Sequence, residues 1–167
     1  MKKQEFPRNL IDLSCIDKID VSGRGGKEHV ICDLLPRWGR ADNGRLHDYE
    51  TSHNGRTIRL EIKKQQNENW FDSGKYYRLS TVDREIFVMF VMFRKPAITT
   101  QILVAELGEL IDWLCKNQPE RGWCDEVLKT AADYKIRFPS LQFKSSVKVL
   151  KVFKEAPQLF EVLYQRD

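Results

Sequence analysis

The 167-residue sequence predicts an α/β (α+β) fold, a mixed sheet of roughly four to six strands flanked by helices. Three observations carry that expectation. Asn54-Gly55 sits between two stretches of alternating polar and apolar residues, the strongest short-range hairpin signal, because both residues tolerate the positive φ of a tight turn. The run "IFVMFVMF" from Ile86 to Phe93 is continuously apolar, as a central strand buried on both faces requires. The segment "ELGELIDWLCK" places Leu107, Leu110, Ile111 and Leu114 at helical spacing.

Taken in order, Leu10, Leu13, Ile16 and Ile19 recur at helical intervals after Asn9, a fair N-cap, and predict a first helix. "SGRGG" interrupts the chain. A second helix is expected through "KEHVICDLL", with Val30, Ile31, Leu34 and Leu35 on one face and Pro36 as its stop. A basic connector from Arg37 to Arg45 leads to the hairpin around Asn54-Gly55. The polar stretch beginning at Gln65 reads as a loop, followed by the buried strand, a further strand through "TTQILVA", and the helix after it. "WCDEVLKTAADY" has weaker helical character. "KIRFPSLQF" and "SVKVLKVF" read as strands, and "PQLFEVLY" as a closing helix or tail. The expected organisation is a single domain over 1–167, with a helical N-terminal part at 1–36 and a catalytic sheet core at 44–105.

Composition narrows the functional classes. Twenty-eight Lys and Arg against 24 Asp and Glu give a net charge of +4, which permits nucleic acid as a partner without demanding it. The four cysteines form no Cys-x-x-Cys pair and no zinc spacing, so free thiols in a reducing cytoplasm are expected. The opening "MKKQEFPRNL" has no apolar core of a signal peptide. The run from Ile86 to Phe93 is too short to span a membrane. "GRGGKE" lacks the spacing and terminal Lys-Ser/Thr of a phosphate-cradling loop.

The chemistry concentrates on the hairpin. A two-residue turn at Asn54-Gly55 pairs His53 with Arg56, and counting outward pairs Glu50 with Arg59, Tyr49 with Leu60 and Asp48 with Glu61. Side chains alternate along strands, so Asp48, Glu50, Arg59, Glu61 and Lys63 share one face, while Tyr49, Ile58, Leu60 and Ile62 face the core. Opposed carboxylates destabilise a sheet by roughly 0.2–1 kcal/mol, and a cation between them removes the penalty. Magnesium suits such a gap, being bound by one or two carboxylates together with phosphate oxygens. The lysine two residues from Glu61 points to the same side, where it can act on an attacking water and on developing charge. A solvated hairpin face with cross-strand ion pairs is the plain structural alternative.

These residues, "HDYE" before the turn and "LEIKK" after it, resemble the PD-(D/E)xK nuclease superfamily. Asp48 matches the motif's aspartate, Glu61 its second acid and Lys63 its lysine; His47 stands where some members have proline. The order of elements over residues 40 to 153 is similar to small type II restriction endonucleases of the PvuII kind. The resemblance implies a restriction-endonuclease-like core and a Mg²⁺ ion at Asp48, Glu61 and the carbonyl of Ile62. It also implies in-line water attack on double-stranded DNA, leaving 5′-phosphate and 3′-hydroxyl. Glu28 corresponds to a helical acid that several members use to orient the site; a first-turn glutamate favoured by the helix dipole explains it equally well. A homodimer on a short palindrome and a cognate DNA methyltransferase in the same system follow from the restriction-enzyme reading. A structure-directed nuclease of the same fold, such as a Holliday-junction resolvase or phage recombination nuclease, is the alternative. A catalytically silent DNA-binding module is a third possibility.

Around the motif lie candidate DNA contacts. Gln65, Gln66, Asn67, Asn69, Lys75 and Tyr76 carry side chains able to read base edges directly after the catalytic strand. Arg45 and Lys64, with Arg37, Arg40, Arg56, Arg78 and Arg84, are candidates for phosphate contacts. Lys144, Lys148, Lys151 and Lys154 stud the last expected strands, where edge lysines guard against aggregation.

Overall fold

The computed structural model describes residues 4–18, 34–35, 47–66, 70–72, 84–94, 98–118 and 146–167. Within them the chain is a mixed α/β structure. Its centre is a five-stranded sheet of order β1-β2-β4-β5-β7: β1 Tyr49–His53, β2 Arg56–Gln66, β4 Phe87–Arg94, β5 Ile98–Glu106 and β7 Phe160–Gln165. A separate two-stranded sheet joins β3 (Trp70–Asp72) to β6 (Ser146–Lys148). Two α-helices, α1 (Leu107–Asn117) and α2 (Val149–Glu155), complete the regular structure, with short 3₁₀ turns elsewhere.

The hairpin forms as its turn residues dictate. Asn54 and Gly55 adopt φ of 50° and 73°, and β1 and β2 pair antiparallel from His53↔Arg56 to Tyr49↔Leu60, the expected register. β2 then pairs with β4 in parallel, Leu60↔Phe87 through Gln66↔Phe93. β4 and β5 form an antiparallel pair with a bulge between Met92 and Phe93, and β7 closes the far edge against β5. All of β4 except Arg94 is buried, because it lies between strands on both sides and is covered on both faces.

Alternation along the strands divides the core in two. One face packs Tyr49, Ile58, Leu60, Ile62, Phe87, Met89 and Val91 against Phe6, Leu10, Ile16, Leu34 and Leu35 of the N-terminal region. Phe6 meets Phe87 edge to face at 5.4 Å between ring centres. The other face packs Val88, Phe90, Met92 and Leu103 under α1 and α2, through Leu107, Leu110, Leu114, Val149 and Val152. The entry to α1 is held by Arg84, whose guanidinium donates to the Gly108 carbonyl at 3.3 Å and to Asp112 at 2.5 Å. A Cβ on Gly108 would lie 2.9 Å from the Arg84 Cβ and 3.0 Å from its carbonyl oxygen, so this close approach requires glycine.

Four sequence expectations need correction. The first helix is instead two 3₁₀ segments, Arg8–Leu10 and Leu13–Lys18, separated by Ile11 and by Asp12, whose carboxylate accepts the Ser14 backbone N–H at 3.0 Å and the Ser14 hydroxyl at 2.5 Å. Those two bonds hold the Asp12 carboxyl below its usual range and favour a local turn over a continuing helix. "SVKVLKVF" is a strand only to Lys148 and then becomes α2, because Val149 and Val152, three apart, are the buried pair. "PQLFEVLY" is a single 3₁₀ turn followed by β7, the turn starting at Pro157. The loop expected from Gln65 begins only after Gln66, the end of β2, and is interrupted by β3 at Trp70–Asp72. The helix through "KEHVICDLL", apart from the buried Leu34 and Leu35, and the segments "WCDEVLKTAADY" and "KIRFPSLQF" lie outside the described residues.

Candidate functional site

The hairpin face that does not enter the Tyr49–Leu60 core carries two groups of charges. At the turn-proximal end Glu50 and Arg59 are direct cross-strand partners, and the Arg59 Nε donates to Glu50 Oε2 at 3.2 Å. The His47 Nε2 lies 3.0 Å from the same carboxylate oxygen, and the imidazole is buried. Both Glu50 and Arg59 retain partial solvent access.

The second group lies where β1 ends. Next to a two-residue turn, His53 and Arg56 exchange backbone bonds, so Tyr49 and Leu60 do so again, and Ile62 is the next residue of β2 to turn its N–H toward β1. No strand carbonyl meets that N–H. The Asp48 carboxylate accepts it instead, Oδ2 to N at 2.8 Å. The Asp48 backbone N–H in turn donates to the Leu60 carbonyl at 2.8 Å, one place off the hairpin register. The expected direct opposition of Asp48 to Glu61 is therefore corrected. The ladder stops at Tyr49↔Leu60, and Asp48 bends its side chain onto the peptide that joins Glu61 to Ile62.

Glu61 is buried, 3% exposed, although it is a carboxylate on a strand. Its Oε1 lies 2.5 Å from the Lys63 Nζ, and Lys63 keeps a quarter of its side-chain surface open. Strand alternation brings these two onto one side, and their β4 partners are Val88 and Phe90, on the face covered by α1 and α2. The Asp48 carboxylate thus meets the peptide that joins Glu61 to Ile62, and the Lys63 ammonium meets the Glu61 carboxylate. Among the described residues no group of three or more His, Cys, Asp or Glu gathers to hold a metal ion.

Of the other sequence-derived candidates, Ile62 has its side chain buried in the opposite core and offers only its backbone here. Lys64 points to that opposite face, with its Nζ 5.7 Å from the centre of the Phe93 ring. Gln65 and Gln66 continue β2. Glu28, Arg45, Asn67, Asn69, Lys75 and Tyr76 lie outside the described residues, as do Arg37, Arg40, Arg78 and Lys144. Two suggested phosphate contacts have other occupations: Arg84 clamps α1, and the Arg56 guanidinium sits 5.9 Å from the Phe87 ring centre. Cys15 and Cys115 are half-buried and neither is in a disulfide, while Cys32 and Cys124 lie outside the described residues. Among the described residues no helix is long and apolar enough to cross a membrane.

Sequence reasoning did not link His47 to Glu50. Its signal was present, since Glu50 is three residues on and Arg59 is fixed opposite Glu50 by the turn. Comparison with protein-family models, with curated proteins and with solved structures returns no match, so the functional reading rests on these residues themselves.

Proposed function

We propose that this chain is a magnesium-dependent DNA endonuclease of the PD-(D/E)xK type, acting as a homodimeric type II restriction enzyme on double-stranded DNA. One observation supports it above the rest. The Asp48 carboxylate lies against the Glu61–Ile62 peptide while Lys63 is paired with a buried Glu61, on a strand next to a parallel neighbour. Burying a carboxylate beside its own strand's lysine is a poor way to gain stability, because the desolvation penalty can match or exceed the attraction. Its retention makes better sense as a prepared charge arrangement.

The residues present fit a magnesium ion, which takes one or two carboxylates and leaves positions for water and phosphate oxygens. Asp48, Glu61 and the Ile62 carbonyl would hold it. When bound it supplies Lewis-acid stabilisation of the phosphate and lowers the pKa of a water. Lys63 has two roles that follow from its own geometry. It balances Glu61 in the resting protein, and its partly open ammonium can turn to a water or a non-bridging phosphate oxygen as negative charge develops. The bond broken is the 3′-oxygen to phosphorus bond, giving 5′-phosphate and 3′-hydroxyl.

The test is a digest of unmethylated plasmid and genomic DNA with Mg²⁺. Discrete fragments from linear duplexes are expected. Cleavage confined to branched DNA would replace the restriction assignment with a structure-directed nuclease. Binding without cleavage in Mg²⁺ or Mn²⁺ would leave a silent DNA-binding module.

A further inference from the structure

We propose that α2 is a phosphate-gripping element, with Lys148, Lys151 and Lys154 holding the duplex backbone on the same sheet face as Glu61 and Lys63. This rests on the DNA reading above and extends it to a surface that the hairpin motif does not include.

Strand register puts the two features on one side. Glu61 and Lys63 are paired with Val88 and Phe90, whose side chains belong to the core that Val149 and Val152 of α2 cover. Phe90 lies 6.2 Å from the Phe160 ring, and Phe160 lies 5.6 Å from Phe153 of α2. The helix is therefore two aromatic contacts from the residue that pairs with Lys63.

Its outward surface is basic. Lys151 and Lys154 are exposed, three apart and so neighbours on the helix, with Lys148 one step earlier at the N-cap. Neither Lys151 nor Lys154 has an ion-pair partner among the described residues, and Glu155, four residues after Lys151, does not pair with it. Protection of a sheet edge cannot account for Lys151 and Lys154, which lie on the helix, although Lys148 ends β6. Helix-dipole compensation explains Lys154 in the last turn but not Lys151.

The helix is also fastened to the chain that leaves the site. Lys148 is the register partner of Trp70 in the two-stranded sheet, and Trp70 is seven residues after Lys63. Seven residues reach at most about 25 Å, and the strand pairing adds about 5 Å. Lys148 is thus within roughly 30 Å of Lys63, less than the roughly 34 Å of one duplex turn. One DNA molecule can touch both.

The experiment measures equilibrium binding of a linear duplex in Ca²⁺ across a KCl series, for wild type, Lys151→Gln, Lys154→Gln and the double variant. Arg8→Gln removes the same single charge from the opposite, Phe6-lined face and serves as the control. Each lysine variant is expected to make the slope of log K against log salt shallower by about 0.9, the double variant by about 1.8, equally on any sequence. Arg8→Gln should change it by less than half of one step. Circular dichroism spectra of all variants, compared with wild type, show that they are folded. If wild type binds with a salt-dependent slope that the folded double variant keeps, or if Arg8→Gln lowers it as much as either lysine change, the inference is overturned while the nuclease reading stands. If wild type neither binds nor cuts duplex DNA, that reading falls and this inference with it.

Discussion

The Glu50–Arg59 pair and the Glu61–Lys63 pair lie on the same hairpin face, yet they are built on different principles. Glu50 and Arg59 face each other across two strands, both partly in water, at 3.2 Å. This is the ordinary cross-strand ion pair, worth roughly 0.2–1 kcal/mol. Glu61 and Lys63 are two apart on one strand, and the carboxylate is withdrawn from water while the ammonium is not. The first arrangement helps the sheet. The second places charge where the sheet gains little from it, beside a strand end sealed by the Asp48 side chain. The proposed function draws on this contrast.

The largest test of this contrast is Lys63→Ala. It is expected to cut DNA cleavage by about 10²–10⁴-fold with duplex binding within a few-fold, as for a group that acts in the transition state. Wild-type turnover in single-turnover kinetics would sink the assignment of Lys63. Next in size is the response to metal. Saturating Mg²⁺ or Ca²⁺ should raise the wild-type melting temperature, by an amount equivalent to about 2.7 kcal/mol at a hundredfold excess over Kd. Asp48→Asn should lose most of that rise in a thermal-shift titration; an undiminished rise would remove Asp48 from the metal site.

Asp48 also sharpens the comparison without metal. The sequence alone suggested that Asp48→Asn would relieve a repulsion and stabilise the apo protein by up to roughly 1 kcal/mol. The observed bond to Ile62 N–H changes that expectation. Asn keeps an acceptor oxygen for that N–H and should be near neutral. Asp48→Ala leaves the N–H without its acceptor and should cost about 1–3 kcal/mol in urea denaturation. Equal stabilities for Asn and Ala would mean that the bond is unimportant. The smallest effect belongs to the outer pair: Arg59→Met should lower stability by about 1 kcal/mol or less and leave cleavage within a few-fold. A loss of activity comparable to Lys63→Ala would show that the two pairs are one network.

Turn chemistry and periodicity made much of this legible. Asn54-Gly55 determined the hairpin register, and through it the shared face of Glu50, Arg59, Glu61 and Lys63. The unbroken apolar run from Phe87 located the central strand, and the leucine spacing located α1. What the sequence hid was of two kinds. Strand-end behaviour at Asp48 depends on a side chain replacing a backbone acceptor, which register counting cannot anticipate. The Val149–Phe153 stretch is β-branched and aromatic, so local propensity argues for a strand, while burial of Val149 and Val152 against the sheet makes it a helix. That tertiary override also put Lys151 and Lys154 on a helix instead of the expected edge strand.

The parallel seam between β2 and β4 has a consequence for how the molecule assembles. On either side of it are strands adjacent in sequence, β1 with β2 and β4 with β5, each able to pair locally within microseconds. Between Gln66 and Phe87 the chain must cross over before the parallel bonds can form, which is the slower, non-local event. Glu61 and Lys63 lie along that seam. The buried carboxylate therefore loses its water only when the two halves dock, so its cost falls late on the folding route. Pulse-labelled hydrogen exchange should find the Ile58 and Leu103 regions protected before the Glu61–Phe90 seam; simultaneous protection of all three would mean that the sheet condenses as one unit.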